Sequence, residues 1–553
     1  MRVRYLAAVA SILLILSAAS KAAGGDPASY EARVFSAFAA GDYYALYEAI
    51  ESLLMEHPGS PEAALYLSDL VTLADVYGRA RVEDSLSRIA ARLNEEKPEH
   101  AGLYGLGILL QRERLARRYS PGALAGIVKE LRPISKWMVS GPYHRYGAGD
   151  IDHPFLPEIA PPATGEVARW KRVSADPKQG EIDFARVLAP GRGVAYAATA
   201  IGPGRPVRLR IYSSCPYRLY LNGRLALANV ERAARRSSRV VELKAEGAVA
   251  LMIKLYREDD WKFRAIVTDL NDVPIDTETI PMNSPTGSCE FTEVMDYPYA
   301  ELVRRLHGKE RGALFHLGSF FSERESREAE KYFRLGIGSE AGFPCRYFLA
   351  ESLLGASGND RGTAEYMEAA LIYRELSDSD AAFMPARYRR LQNLIDRQSM
   401  AEAFVEGRRL TEEAPRFLPL RVLYSSMLAG LGYEREFEQD SEALIKEFPS
   451  SSSPAKIIAS FNAKRDPARS ARLYHKAIET EFDKNALEAL IRILRGMGRH
   501  SEIVDLVERF DHFHEYDNER IDALIEMGEY ERASGLLLES IAVKEDPEYY
   551  LRL

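Results

Sequence analysis

Cysteine, tryptophan, basic charge and long apolar runs are all in short supply in this chain, and each shortage closes a class of explanation. Cys215, Cys289 and Cys345 are the three cysteines in 553 residues. Three thiols permit at most one intramolecular bridge, so a disulfide-built scaffold is excluded and the three are read as small buried hydrophobes. The net charge is −8, which argues against a nucleic-acid partner, because such a partner leaves a strongly basic domain. Beyond the first residues no stretch approaches the roughly 18 uninterrupted apolar residues of a membrane-spanning helix. Signatures of catalysis are missing too: there is no phosphate-binding Gly-Lys-Thr loop, no Gly-x-Ser-x-Gly elbow and no zinc-protease His-Glu-x-x-His. Cys345 follows Pro344, and no His is placed by sequence to activate it. The chain therefore reads as a protein without enzymatic activity, cofactor or metal.

What is present begins with a targeting segment. Arg2 and Arg4 precede an apolar stretch from Tyr5 to Leu16 that only Ser11 interrupts, and Ser17-Ala18-Ala19-Ser20 and Ala22-Ala23 offer cleavage points. Residues 1–23 are expected to be a signal peptide that sends the protein to the periplasm or outside the cell. An uncleaved N-terminal membrane anchor is the alternative, and the mature chain is expected to have no membrane span.

With 46% hydrophobic and 28% charged residues the composition is globular, and at about 150 residues per domain the length suggests three or four units. A turn signature recurs through the last part of the chain: Glu325-Ser326-Arg327, Gly358-Asn359-Asp360, Gln398-Ser399-Met400, Gly432-Tyr433-Glu434, Arg465-Asp466-Pro467, Gly498-Arg499-His500 and Gly528-Glu529-Tyr530. The intervals are 33, 40, 34, 33, 33 and 30 residues. They lie close to the roughly 34-residue period of tetratricopeptide repeats, which this region resembles. Around Gly498, Leu487, Leu490, Ile491 and Leu494 form one apolar helix face and Ile503, Leu506, Val507 and Phe510 another. Five positions after the turn marks stand Ala403, Phe437, Ser470, Ile503 and Ala533, the expected points of close helix packing. Residues 290–553 are thus expected to be an α-solenoid of about seven repeats, with helices resuming at Phe291. Glu545 to Leu553 either caps the array or the natural protein runs on.

Residues 27–132 carry a weaker copy of the same pattern. Gly41-Asp42-Tyr43 opens a helix that runs to His57-Pro58, Pro61 starts the next, and Gly78 and Tyr119-Ser120-Pro121-Gly122 mark further corners. Between the two helical regions, residues 133–285 change character. Proline and glycine accumulate, and alternation of period two sets in at Val207, Leu209 and Ile211, at Val249, Leu251, Ile253 and Leu255, and at Trp261, Phe263, Ala265 and Val267. Leu219 and Leu221 join Leu225 and Leu227 through Asn222-Gly223, the signal of a tight hairpin. The pattern predicts a β-sandwich.

Here a second resemblance enters. Trp137-Met138-Val139-Ser140-Gly141-Pro142-Tyr143, then Asp150, Pro157-Glu158, Trp170-Lys171-Arg172-Val173 and Leu219-Tyr220-Leu221-Asn222-Gly223-Arg224 look like the galactose-binding-like jelly-roll modules of large exported bacterial proteins. There the module often sits between tetratricopeptide segments, and some of those proteins continue into a transglutaminase-like domain. Ahead of the hairpin this chain has Tyr212-Ser213-Ser214-Cys215-Pro216 instead of the acidic, Gly-containing stretch usual in that family.

Candidate ligand residues are few. Trp261 could stack on a sugar, although its alternation with Phe263 and Val267 points to the core; Trp137 and Trp170 are expected to pin the start of the domain. Arg235 and Arg236, with Arg232 and Arg239, could meet an anionic group or stand in a solvated loop. His144, Asp150, Asp152, His153 and Glu158 could hold calcium or serve in turns and caps. Asp511-His512-Phe513-His514-Glu515-Tyr516-Asp517 could ligate a metal or merely connect repeats. The combined expectation is an exported, non-enzymatic scaffold whose helical arrays bind a protein or peptide along their concave surface, the sandwich acting as spacer or second binding module. The alternatives are a carbohydrate-binding accessory protein, and the non-catalytic N-terminal part of a larger transglutaminase-like envelope protein.

Overall fold

The structure is a computed structural model that describes residues 27–96, 101–159, 170–189, 191–213, 215–229, 239–257, 261–280, 287–295, 299–307, 312–322, 326–338, 342–358, 360–379, 383–510 and 516–544. The expected signal peptide and the segments 511–515 and 545–553 lie outside the described residues.

The chain is an α-solenoid interrupted by a β-sandwich. After the helix Tyr299–His307, seven helix pairs follow among the described residues: Ala313–Ser322 with Ser326–Gly336, Gly342–Ala356 with Ala364–Ser379, Met384–Asp396 with Met400–Glu413, Leu418–Gly430 with Glu434–Glu447, Ser453–Asn462 with Pro467–Thr480, Lys484–Gly496 with His500–Phe510, and Asp517–Glu526 with Tyr530–Lys544. The turn inside most pairs has one residue in the left-handed region, which glycine adopts at least cost, although the turn from Asn462 to Pro467 does without one. Gly432 (φ +81°) and Gly498 (φ +69°) fill that place, and Gln398 takes it at φ +61° in the third pair. Ala403, Phe437, Ser470 and Ile503 are 0% exposed, so the positions five residues past each turn are where the paired helices close on one another.

Seven-stranded and five-stranded sheets share one core. The strands are β1 Lys136–Tyr143, β2 Lys171–Ser174, β3 Ile182–Asp183, β4 Val194–Ile201, β5 Val207–Ser213, β6 Tyr217–Leu221, β7 Arg224–Asn229, β8 Arg239–Glu246, β9 Val249–Tyr256, β10 Lys262–Thr268, β11 Thr279–Ile280 and β12 Ser288–Met295. The larger sheet runs β2-β1-β4-β9-β6-β7, with β11 on β4, and the smaller runs β12-β8-β5-β10-β3. From β4 to β10 the chain crosses repeatedly between the sheets, and the pairings are antiparallel. Asn222 (φ +47°) and Gly223 (φ +76°) make the tight turn between β6 and β7.

One boundary differs from the sequence reading. Helices do not resume at Phe291, because β12 pairs with β8 from Ser288 opposite Glu246 to Met295 opposite Arg239. Cys289 and Phe291 lean on the sandwich core while Glu290 and Thr292 face out, so β12 is a half-polar outer strand with little apolar content to announce it.

Each outer face of the sandwich is covered in part, which is why β4 and β10 are buried beyond what alternation requires. In β4 every residue is buried: Ala195, Ala197 and Ile201 enter the sandwich core, while Val194 and Tyr196 meet Ile151 and Phe155 from the segment that follows β1. On the other sheet Ile266 of β10 packs with Leu106, Ala116 and Leu124 of the N-terminal helices. There Arg264 reaches Glu113 of the helix Ala101–Tyr119 with two parallel bonds of 2.7 and 2.8 Å, both side chains at most 7% exposed, and Glu181 and Arg117 complete the network. Burial would raise the Glu113 pKa, but Arg264 and Arg117 hold it below the ordinary carboxylate value.

Removing one partner of a buried ion pair leaves an uncompensated charge. Arg264→Leu is therefore expected to cost about 3–5 kcal/mol of stability in urea unfolding, and a loss under about 1 kcal/mol would show that the pair does not join helix to sheet.

Candidate functional site

The N-terminal helices decide what surface this protein offers. Pro27–Ala40 and Tyr43–Glu56 form a hairpin whose corner is Gly41 at φ +67°, followed by Asp42, whose carboxylate accepts from the Tyr44 and Ala45 amides at 3.1 Å. A Cβ at position 41 would lie 3.1 Å from Met384 and Phe417, so the corner itself touches the array. Phe38 packs 5.6 Å from Tyr347 and 6.0 Å from Phe383. Phe35 lies 5.3 Å from Phe315, Tyr43 5.2 Å from Phe417 and Tyr44 6.3 Å from Phe448. These partners sit on the leading helices of successive pairs or in the loops just before them. That face is therefore covered by the chain itself from Phe315 to Phe482, the length along which a partner was expected.

Polar groups seal the same seam. Arg118 bonds Glu481 at 2.8 and 2.9 Å and Asp75 at 2.8 Å, while its carbonyl accepts from the Phe482 amide at 2.6 Å. Burial raises the Asp75 pKa above its ordinary value against the pull of Arg118. Farther along, Arg305 pairs with Glu62, and His316 Nε2 lies 2.9 Å from Glu31 Oε1, which also accepts from the Tyr66 hydroxyl at 3.1 Å.

Where N-terminal helices, sandwich and array meet, they leave a partly enclosed cavity of about 670 Å³. Phe35, Phe38 and Leu65 stand on one wall, Phe315 and Phe348 on a second and Arg210 and Tyr212 of β5 on a third. The helix Ala101–Tyr119 contributes Leu106, Gly107 and Gln111. Gln111 is 3% exposed, and its Oε1 has no hydrogen-bond partner. A Cβ at Gly107 would meet only Leu67 Cδ1, at 3.7 Å, so a side chain there would enter open space. Sequence reasoning missed both residues. The signal was present as Gly102, Gly105 and Gly107 within one helix, each disfavoured against alanine by about 1 kcal/mol.

The residues singled out from sequence do not assemble. Trp261 is 2% exposed, stands 5.3 Å from Phe184 and carries the Arg257 guanidinium over its ring at 5.4 Å, so no ring face is open to a sugar. Arg235 and Arg236 lie outside the described residues. Trp137 is buried against Phe263 and donates to the Ile134 carbonyl at 2.9 Å. Asp150 accepts from His144 Nδ1 at 2.7 Å and from the Arg145 and Tyr146 amides, which closes a turn, and Asp152 pairs with Arg218. Glu158 takes Lys254 Nζ at 2.8 Å and the hydroxyls of Tyr196 at 2.6 Å and Tyr220 at 2.9 Å. Burial would raise the Glu158 pKa, but these donors lower it, and burial with Glu158 pushes Tyr220 up to about 12. The carboxylates thus fasten the segment after β1 over the sheet. Among the described residues no group of His, Cys, Asp and Glu is placed to hold a metal. None of the three cysteines is in a disulfide, and burial pushes Cys345 up to about 12, far from a thiolate at neutral pH.

No family model matches this chain and no curated protein matches it. Among solved structures it is similar to a tetratricopeptide repeat protein from Parabacteroides merdae, with 16% identity over 44% of this chain and 93% of that one at a TM-score of 0.29. YrrB, described as a TPR protein with an unusual peptide-binding site, shares 14% identity over 34% of this chain and 96% of its own, at 0.27. Yeast Tom70 shares 12% identity over 95% of this chain and 87% of its own, at 0.33.

The seam should be sensitive to pH. Burial by itself would lower the His316 pKa, but Glu31 raises it above the ordinary 6.5. A group raised on folding stabilises fully below its unfolded pKa, and the contribution is lost as pH climbs through the folded value. The thermal midpoint of the wild type is expected to exceed that of His316→Gln most below the unfolded pKa of about 6.5 and the gap to shrink as pH rises above it. A gap independent of pH would show that the imidazolium contributes nothing. In the same seam Phe417→Ala is expected to cost about 3–5 kcal/mol in urea unfolding.

Proposed function

We propose that this protein is an exported, non-enzymatic interaction scaffold that holds a protein or peptide partner in the cell envelope. The observation that carries the reading is where exposed apolar side chains stand. Leu335, Met367, Leu371, Val405 and Leu538 are exposed by 60, 60, 49, 70 and 55%, and all five lie on the trailing helices of their pairs. A contiguous apolar patch marks an interaction site, and Leu335, Met367, Leu371 and Val405 stand on three successive trailing helices. Because the leading-helix face is occupied by the N-terminal hairpins, the partner binds the trailing-helix side. The stacked pairs supply an extended surface of the sort repeat proteins use for binding.

Export is supported by the basic, apolar and small-residue segments of residues 1–23. Among the described residues no helix is long and apolar enough to cross a membrane. The sandwich serves as a spacer, a role favoured by the covering of β4 on one outer face and of β10 on the other. Its carbohydrate-binding alternative has lost its aromatic platform, since Trp261 is buried.

Crosslinking of the tagged full chain in intact cells, followed by fractionation, tests this reading. A protein partner is expected in the envelope fraction, and Leu371→Glu with Val405→Glu is expected to remove it while leaving the thermal midpoint within a few degrees. Cytoplasmic fractionation, or a partner retained by the double variant, would count against it.

A further inference from the structure

We propose that the first described helix, Pro27–Ala40, is a pH-gated clasp, closed on the array while His316 is an imidazolium and lifted from it once that proton is lost. The helix is lightly held, because Val34 and Ala37 are its buried residues among fourteen. Elements with few buried apolar contacts open most readily. Its grip on the array comes from one face, on which Glu31 is followed one turn later by Phe35 and then by Phe38. Glu31 and Phe35 meet adjacent residues of the helix Ala313–Ser322, His316 and Phe315, and Phe38 carries the contact on to Tyr347.

Charge balance at that end depends on the imidazole. His316 Nε2 lies 2.9 and 3.1 Å from the two Glu31 oxygens, and both side chains are 12% exposed. The helix Pro61–Thr72 adds Glu62, 4% exposed, which pairs with Arg305 through one oxygen and, among the described residues, has no partner for the other. It also sends the Tyr66 hydroxyl to Glu31, while its Asp69 is engaged within the protein. From Tyr299–His307 come Arg305 and Glu301, which pair with each other, and Glu301 is shared with the exposed Arg304. The other helices packed on Ala313–Ser322 commit their charges elsewhere: Lys331 to Glu328, Arg334 to Glu330 and Glu351 to Arg389.

Two carboxylates of the N-terminal helices, Glu31 and Glu62, therefore face two cations of the array, His316 and Arg305, and they balance only with the imidazolium. Once the ring is neutral, a carboxylate is left without a counter-charge in a place mostly closed to water, which is costly. Opening the helix returns Glu31 to solvent. Linkage fixes the direction: Glu31 raises the His316 pKa above its ordinary value against burial, so the closed form holds the proton more tightly, and closure weakens as pH climbs. Lifting the helix bares Phe315 and uncovers the first end of the leading-helix face.

Hydrogen exchange of the full-length protein, read by mass spectrometry from about pH 5.5 to about pH 9 and divided by the intrinsic chemical rates, tests this proposal. The opening constant of Pro27–Ala40 is expected to be flat below about pH 6.5 and to rise about tenfold above it, the worth of one charge-assisted hydrogen bond, while that of Lys484–Gly496 stays constant. His316→Gln is expected to keep the opening constant high at every pH, and Glu31→Gln, which leaves the imidazole in place, to remove most of the rise. The wild-type profile decides by itself should neither variant fold. A flat wild-type profile, a rise shared equally by Lys484–Gly496, or a rise that survives in His316→Gln would each overturn the proposal. None of these outcomes depends on which protein the trailing helices hold.

Discussion

The aromatic seam between the N-terminal hairpin and the leading helices of the array is the contact on which the rest of this structure depends. A helix pair in a solenoid cannot bury its faces alone and takes stability from its neighbours along the stack. In this chain a further set of neighbours comes from the front of the sequence: Phe35, Phe38, Tyr43 and Tyr44 reach partners on or just before the leading helices of five successive pairs, from Phe315 to Phe448. Each ring buries a large apolar area, and the offset and edge-on arrangements add to it. The array is thereby clasped along one face, and its most exposed apolar residues, such as Leu335, Met367 and Val405, stand on the trailing helices.

The sandwich makes this return possible. Inserted between the two helical regions, it is bound to the helix Ala101–Tyr119 through the Arg264–Glu113 pair and through Ile266, and its Phe184–Val187 turn meets the last helix, Tyr530–Lys544. Three parts that touch pairwise enclose a space at their meeting point, and the cavity is that space. Buried ion pairs at both seams fix orientation more than they add stability, since desolvation offsets most of their attraction. Arg118 shows the point, because it ties Asp75 and Glu481 together only if helix and array meet in one register.

Parts of this were legible and parts were not, for identifiable reasons. Local conformation leaves local marks: Gly432, Gly498 and Gly528 stand where their turns take positive φ, and Asn222-Gly223 announces its hairpin for the same reason. The strands β5, β9 and β10 alternate and could be read. The strand β4 could not, since Val194 to Ile201 is buried on both faces and carries no period of two. Its second covering, the segment after β1, looked like a cluster of calcium ligands because carboxylates and histidines that fasten a loop are of the same residue types as those that hold a metal. Trp261 pointed inward by its alternation with Phe263, and it lies inside.

By itself the sequence determined the elements: helix pairs at a near-constant spacing, a sandwich between them, and the residues at which helices close, such as Ala403 and Ile503. These follow from backbone conformation and from periodicity, which act over a few residues. Only the tertiary structure decided which face of the array is occupied, because Phe38 and Phe383 are 345 residues apart and nothing in either neighbourhood names the other. The same holds for the cavity. It belongs to no element, and Gln111 and Gly107 line it only because three separately encoded surfaces come together around them.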